Sequence, residues 1–259
     1  MTLSPRPGSP FGALFDWDGV VVDSSKLHEE SWYLLAREAD LPLTSALFEK
    51  SFGRVNREII PDIFGWTDDP ATTERLGRRK EELYRELILS KGLTPLPGVE
   101  KLLLSLHQEG IPAVICTSTE RANIETSLEV LGFASYFKDA VCSEDVRLGK
   151  PHPEVFLTGA SRCNLPPQAC VVLEDSRHGL KAARAGGMRS IGVTGTHPAS
   201  KLEDLATVVV PDLQAVTLET FRKILALPPI LKGQSTDDLP LPPHKPGATL
   251  EGRPRSTPG

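Results

Sequence analysis

The chain has 259 residues, 39% of them hydrophobic and 24% charged, which is enough apolar material for a large core and ordinary for a globular protein. A formal net charge of -5 gives no electrostatic reason to bind a polyanion, so no nucleic-acid partner is expected, although a local cationic pocket for one phosphate is compatible with it. No apolar run approaches the ~20 residues that a membrane-spanning helix needs, and a soluble, cytoplasmic protein is the expectation, with a monomer as the default state.

Residues 1–10 (MTLSPRPGSP) lack the apolar centre of a secretory signal and read as a loose tail. A strand is expected near 12–15, and it gives out into Asp16-Trp17-Asp18-Gly19. Alternate residues of an extended chain face the same side, so Asp16 and Asp18 can meet one small charged object, while Gly19 lets the backbone turn sharply beside it. Asp-Gly is also a common turn dipeptide, and a plain strand-end turn fits this segment taken alone. An EF-hand loop fits less well, because Gly19 stands at position four from Asp16 where that loop needs a glycine at six.

From about Ser24 to Thr94 apolar and charged residues recur at helical spacing with no strand pattern, most clearly from Thr72 to Leu87. A strand near 111–116 then ends in the hydroxyl run Thr117-Ser118-Thr119, which can hold phosphate oxygens or simply cap a helix. After a strand near 138–142, Lys150 sits in a Gly/Pro-punctuated loop, where it can neutralise a phosphoryl group or stand solvated. A strand near 170–174 ends in Glu174-Asp175 and is followed by the helix-like run Gly179–Ala185, with further strands near 189–193 and 207–210.

Strands alternating with amphipathic helices argue for a doubly wound α/β fold, a Rossmann-like parallel sheet whose function gathers at the carboxyl ends of the strands. Asp16, Asp18, Glu174 and Asp175 gathered there make a cluster of hard oxygen ligands suited to Mg2+, and without a cation they repel one another. Cys116, Cys142, Cys163 and Cys170 lack paired metal-ligand spacing and read as reduced, buried thiols. From about 227 to 259 the chain turns Pro-rich and cannot build a packed core, so disorder is expected there, with a Pro-rich ligand for some partner as the lesser alternative.

The order of Asp16-x-Asp18-Gly19, Thr117, Lys150 and Glu174-Asp175 resembles the haloacid dehalogenase-like hydrolase superfamily over roughly residues 11–215. Asp23-Ser24 with His28 and Trp32, followed by Gly53–Glu58, is similar to its branch of beta-phosphoglucomutases and sugar-phosphate phosphatases. The resemblance implies an α/β core of residues 11–23 plus 95–226 and an inserted all-α cap of residues 24–94, joined by linkers near Ser24 and Pro95–Gly98. It also implies Mg2+ as cofactor and a small phosphorylated metabolite as partner. Asp16 becomes the nucleophile and Asp18 the acid and base. Thr117, Ser118, Thr119 and Lys150 bind the phosphoryl group, Asp16, Asp18, Glu174 and Asp175 hold the metal, and His28, Gly53, Arg57 and Lys80 are cap positions near substrate. Lys80 lies in a charged helix, where a solvated face is the ordinary explanation, and His28 fits a hinge hydrogen-bonder equally well.

Arg121 stands where mutases of this branch usually carry asparagine, and Phe52 where they tend to carry lysine, so hydrolysis is expected ahead of a hexose-phosphate mutase. A non-enzymatic receiver-like domain also combines Asp, Thr, Lys and an acidic pair. It places the acidic pair before the phosphorylated Asp and lacks a long helical insert, and both features count against it here.

Overall fold

Both faces of strand Gly12–Phe15 (β1) are apolar, with Ala13 and Phe15 in one core cluster and Leu14 in another. A strand buried on both faces belongs in the middle of a parallel sheet. The computed structural model describes residues 11–51 and 54–227 and places β1 at that position. It pairs in parallel with Ala113–Cys116 (β2) and, at its other edge, with Cys170–Glu174 (β4). Asp139–Val141 (β3), Arg189–Val193 (β5) and Val208–Val210 (β6) complete a parallel sheet of order β3-β2-β1-β4-β5-β6.

The strands starting at Gly12, Cys170 and Arg189 have the bounds expected from sequence. The one expected over 111–116 begins at Ala113, because Pro112 has no N–H for the ladder and contributes only its carbonyl, which accepts from Ala13 N at 2.9 Å. β3 stops at Val141, where the Cys142 N–H turns away to Asp145 Oδ2 at 2.8 Å.

Between β1 and β2 the chain is helical: Ser25–Glu38 (α1), Ser45–Ser51 (α2), Asn56–Glu58 (α3) running into a π-helical turn Ile59–Ile63, and Pro70–Lys91 (α4). Asp69 caps α4 by accepting the Thr72 N–H at 2.8 Å, and Pro70 opens its first turn. Along α4 the residues Thr73, Leu76, Gly77, Lys80, Tyr84, Leu87 and Ile88 repeat at steps of three and four and form its buried stripe. These helices enclose an apolar cluster of their own, around Trp32, Leu35, Phe48, Ile60, Phe64, Leu76 and Leu83. An antiparallel bridge between Val22 and Pro95 holds the two ends of the segment together.

Val99–Gln108 (α5), Arg121–Leu131 (α6) and, near the end, Leu218–Ala226 (α9) bury Leu103, Ile124 and Phe221 against one face of the sheet. Glu154–Cys163 (α7) and Arg177–Ala185 (α8) bury Phe156 and Ala183 against the other. Helices on both faces of a parallel sheet make this the doubly wound α/β fold. All four cysteines are free and buried, and among the described residues no helix is long and apolar enough to cross a membrane. The tails expected over 1–10 and beyond Leu227, and Gly53, lie outside the described residues.

Candidate active site

Sheet order positions the site. The chain leaves β1 for β2 on one side, while β4 and β5 extend the sheet on the other, so β1 and β4 flank the point where the winding reverses. In register, Phe15 stands opposite both Ile115 and Leu173, and the Asp16 N–H donates to the Leu173 carbonyl at 2.9 Å. Asp16, Thr117 and the Glu174-Asp175 pair therefore leave the sheet at one edge, close together.

Lys150 reaches this edge from the loop after β3, preceding a cis Lys150–Pro151 bond. Its ammonium donates to Asp16 Oδ1 at 2.7 Å and to Glu174 Oε2 at 2.8 Å. The second oxygen of Glu174 accepts from Ser176 N at 2.9 Å and Ser176 Oγ at 2.8 Å, and Ser176 also caps α8 by accepting the Gly179 N–H at 3.0 Å. One oxygen each from Asp16, Glu174 and Asp175 lie within 4.8 Å of one another.

Three buried carboxyl groups facing one ammonium cannot all ionise comfortably. Burial, followed by the proximity of Glu174 and Asp175, pushes the Asp16 carboxyl well above its ordinary range despite Lys150. Burial and Glu174 raise Asp175 to about 7. Burial would raise Glu174 as well, but Lys150 and the Ser176 donors outweigh it and hold this carboxyl low. Surplus negative charge on hard oxygen donors is the environment that Mg2+ neutralises, so the donor set fits that ion.

A consequence is measurable. Asp175 titrates near 7 in the fold against 3.8 ordinarily, so the folded state binds more protons between those values, and metal-free stability falls as pH rises through that window. Mg2+ binding only the folded, ionised cluster opposes this. Thermal unfolding with and without Mg2+ is expected to show a larger metal-induced rise in Tm at pH 8 than at pH 5, and equal rises would show that the ion does not bind these carboxylates.

Asp18 lies on the same rim, with Trp17 between it and Asp16 turned into the core against Phe137. Its carboxylate accepts from Thr119 Oγ1 at 2.8 Å and from the Ser24 hydroxyl, with His28 Nε2 at 3.9 Å. His28 stacks on Tyr84 with ring centroids 3.9 Å apart, and its Nδ1 is 2.8 Å from Lys80 Nζ. Burial and the Lys80 charge lower the His28 imidazole to about 4, so it is neutral and its Nδ1 accepts a hydrogen bond from the Lys80 ammonium.

Thus Asp16, Lys150, Glu174 and Asp175 form one set of contacts at the sheet edge, and Asp18, Thr117, Thr119, His28 and Lys80 form a second on the same rim. Thr117 is buried, and its hydroxyl accepts the Thr119 N–H at 3.1 Å, while Ser118 is exposed beside it. Arg57 is exposed on α3, and among the described residues no hydrogen bond or ion pair joins its guanidinium to the cluster. Lys80 is not on a solvated face: it is 3% exposed, on the buried stripe of α4.

Sequence reasoning missed Ser24, Ser176, Tyr84 and Gly179. Tyr84 stacks on His28 and so joins α4 to the ring beside Asp18. A Cβ on Gly179 would overlap the Glu174 carboxylate, so a side chain there would push the acid off Lys150. The signal was present in the run Glu174–Gly179, where a serine cap and a glycine within the first helical turn let the backbone approach the acid.

The model of the haloacid dehalogenase-like hydrolase family matches residues 12–187, and the chain belongs to that family. It is 30% identical over 82% of its length to the chloroplastic 5-amino-6-(5-phospho-D-ribitylamino)uracil phosphatase of Arabidopsis thaliana, of which it spans only 57%. It is 30% identical to the validoxylamine A 7'-phosphate phosphatase of Streptomyces hygroscopicus subsp. limoneus, covering 79% of this chain and 94% of that one. Among solved structures, a beta-phosphoglucomutase from Clostridium difficile superposes with a TM-score of 0.70 at 26% identity, over 83% of this chain and 96% of its own.

Proposed function

We propose that this enzyme is a Mg2+-dependent phosphatase of small phosphorylated metabolites such as sugar phosphates, working through an aspartyl-phosphate on Asp16. The placement of Asp16 carries the proposal. Lys150 fixes one of its oxygens at 2.7 Å, and the other takes no protein hydrogen bond among the described residues, at a strand end two residues from an anchored Asp18. Residues 24–94 act as a cap over a core of residues 11–23 plus 95–226.

The free oxygen of Asp16 attacks phosphorus in line, and the bond to the substrate alkoxide breaks as the Asp16 oxygen–phosphorus bond forms. Asp18 gives its proton to the leaving oxygen. Water then attacks the same phosphorus and gives a proton to Asp18, and the bond to Asp16 breaks, which frees inorganic phosphate and regenerates both carboxyl groups. Lys150, the Thr117 hydroxyl and the Ser118 N–H stabilise charge on the transferring oxygens. Asp16, Asp175 and the Asp18 carbonyl are the residues to hold Mg2+, with Glu174 direct or through water. When bound, the ion supplies the charge neutralisation that lets one anion approach another. Thr119 and Ser24 orient Asp18, and Arg57 meets the remainder of the substrate.

Hydrolysis is favoured over phosphoryl transfer to a sugar by the state of two cations. The Arg121 guanidinium donates to the Ala140 carbonyl at 3.1 Å and pairs with Asp145, and the Lys80 ammonium is taken by Glu81 at 3.0 Å and by His28. Neither is free to grip a second phosphate. A screen of sugar, nucleotide and polyol phosphates with Mg2+, reading free phosphate and isomerised hexose phosphate in parallel, is expected to show phosphate release that EDTA abolishes. Glucose 1-phosphate turned into glucose 6-phosphate with little free phosphate would make the enzyme a mutase instead.

A further inference from the structure

The mechanism makes no use of Glu81, Arg85 or Asn123, yet these three build a buried polar contact between the helical segment and α6. Asn123 is the third residue of α6, a few residues past the Thr117–Thr119 loop, and is 2% exposed. Its amide is held between two residues one turn apart on α4. Asn123 Nδ2 donates to Glu81 Oε2 at 2.7 Å, and Asn123 Oδ1 accepts from Arg85 Nη1 at 2.8 Å. Glu81 Oε1 accepts from Asn56 Nδ2 at 2.7 Å and Lys80 Nζ at 3.0 Å. Burial would raise the Glu81 carboxyl, but Lys80, His28 and the two asparagines hold it down to about 2. A buried carboxylate is retained only with such partners, and removing one of them leaves the charge unsatisfied. From Glu81 the contacts continue through Lys80 and His28 to Asp18.

We infer that the Asn123 amide, gripped by Glu81 and Arg85, is the latch that holds the helical segment shut over the active site. The latch rests on the proposal that residues 24–94 cap a phosphoryl-transfer site. Glu81, Arg85 and Asn123 are positioning residues, since none reaches the reacting atoms.

The donor pattern supplies the test. In Asn123→Asp two carboxylates face each other, although Arg85 still has its acceptor. In Glu81→Gln the amide keeps its oxygen toward Asn56 and Lys80 and turns its NH2 toward the NH2 of Asn123. The double variant restores one donor and one acceptor, with the carboxylate moved across the contact. Each single variant is expected to lower kcat/KM for phosphate release about tenfold or more, as loss of a charge-assisted buried hydrogen bond reduces the closed fraction. Amide hydrogen exchange at Leu96 and Gly98 and over residues 118–123 is expected to rise in both. The double variant is expected to recover kcat/KM and exchange protection together. Single variants with unchanged exchange, or a double variant as impaired as the two singles combined, would overturn the latch. A merely structural contact would lower Tm and leave exchange at those two segments unchanged. Exchange needs no substrate, so an enzyme that releases no phosphate from any substrate would refute the phosphatase proposal and leave the latch still measurable.

Discussion

Asp16→Asn is expected to lower phosphate release about a thousandfold or more while leaving the protein at least as stable as the parent at pH 8. The amide matches the carboxylate in shape but has no nucleophilic oxygen, so the first displacement has no attacking atom. Stability moves the other way. Burial and two neighbouring acids hold the Asp16 carboxyl well above its ordinary range, so its ionised form opposes folding at neutral and alkaline pH, and a neutral amide removes that opposition. A Tm measured beside the turnover separates the two effects. Wild-type turnover in the pure variant would mean that Asp16 is not the nucleophile.

Strand ends were legible in the sequence because three chemical signals fell where apolar runs stopped, Asp16-x-Asp18-Gly19, Thr117 and Glu174-Asp175, with Lys150 in the loop after another strand. Parallel pairing then brings residues a hundred or more positions apart to one edge, as when Phe15 stands opposite both Ile115 and Leu173. The order of strands within the sheet and the π-helical turn Ile59–Ile63 were not legible, because both are set by packing between distant segments.

Lys80 shows what was legible and overlooked. Charges on α4 suggest a solvated face, yet Leu76, Gly77, Lys80, Tyr84, Leu87 and Ile88 share the spacing of one buried stripe, and a lysine on such a stripe requires an internal partner. Its partner His28 could not be read, because it lies fifty-two positions away on α1. Asn123 was hidden for a further reason. An asparagine in the first turn of a helix is ordinary locally, and only the approach of α4 turns it into a junction between Glu81 and Arg85.

Gly19→Ala is expected to be nearly as damaging as loss of the nucleophile, although Gly19 does no chemistry. Gly19 has φ +79, where a side chain costs about 1–2 kcal/mol against the following carbonyl. A Cβ there would also overlap the Asp175 carboxylate, with Cγ only 2.7 Å away and Thr196 Oγ1 2.9 Å away. Asp175 must then swing out of the group it forms with Asp16 and Glu174, and a displacement of that size in a positioned group lowers turnover about a hundredfold or more. The rise in Tm expected with Mg2+ should disappear with it. Gly179→Ala isolates the steric part, because Gly179 lies in α8, where alanine is favoured by about 1 kcal/mol, while its Cβ falls on Glu174. That variant is expected to keep its Tm within a few degrees and lose turnover. If Gly19→Ala unfolds the protein and Gly179→Ala leaves turnover intact, the two glycines serve the fold alone, and the close approach of backbone to acid has no part in catalysis.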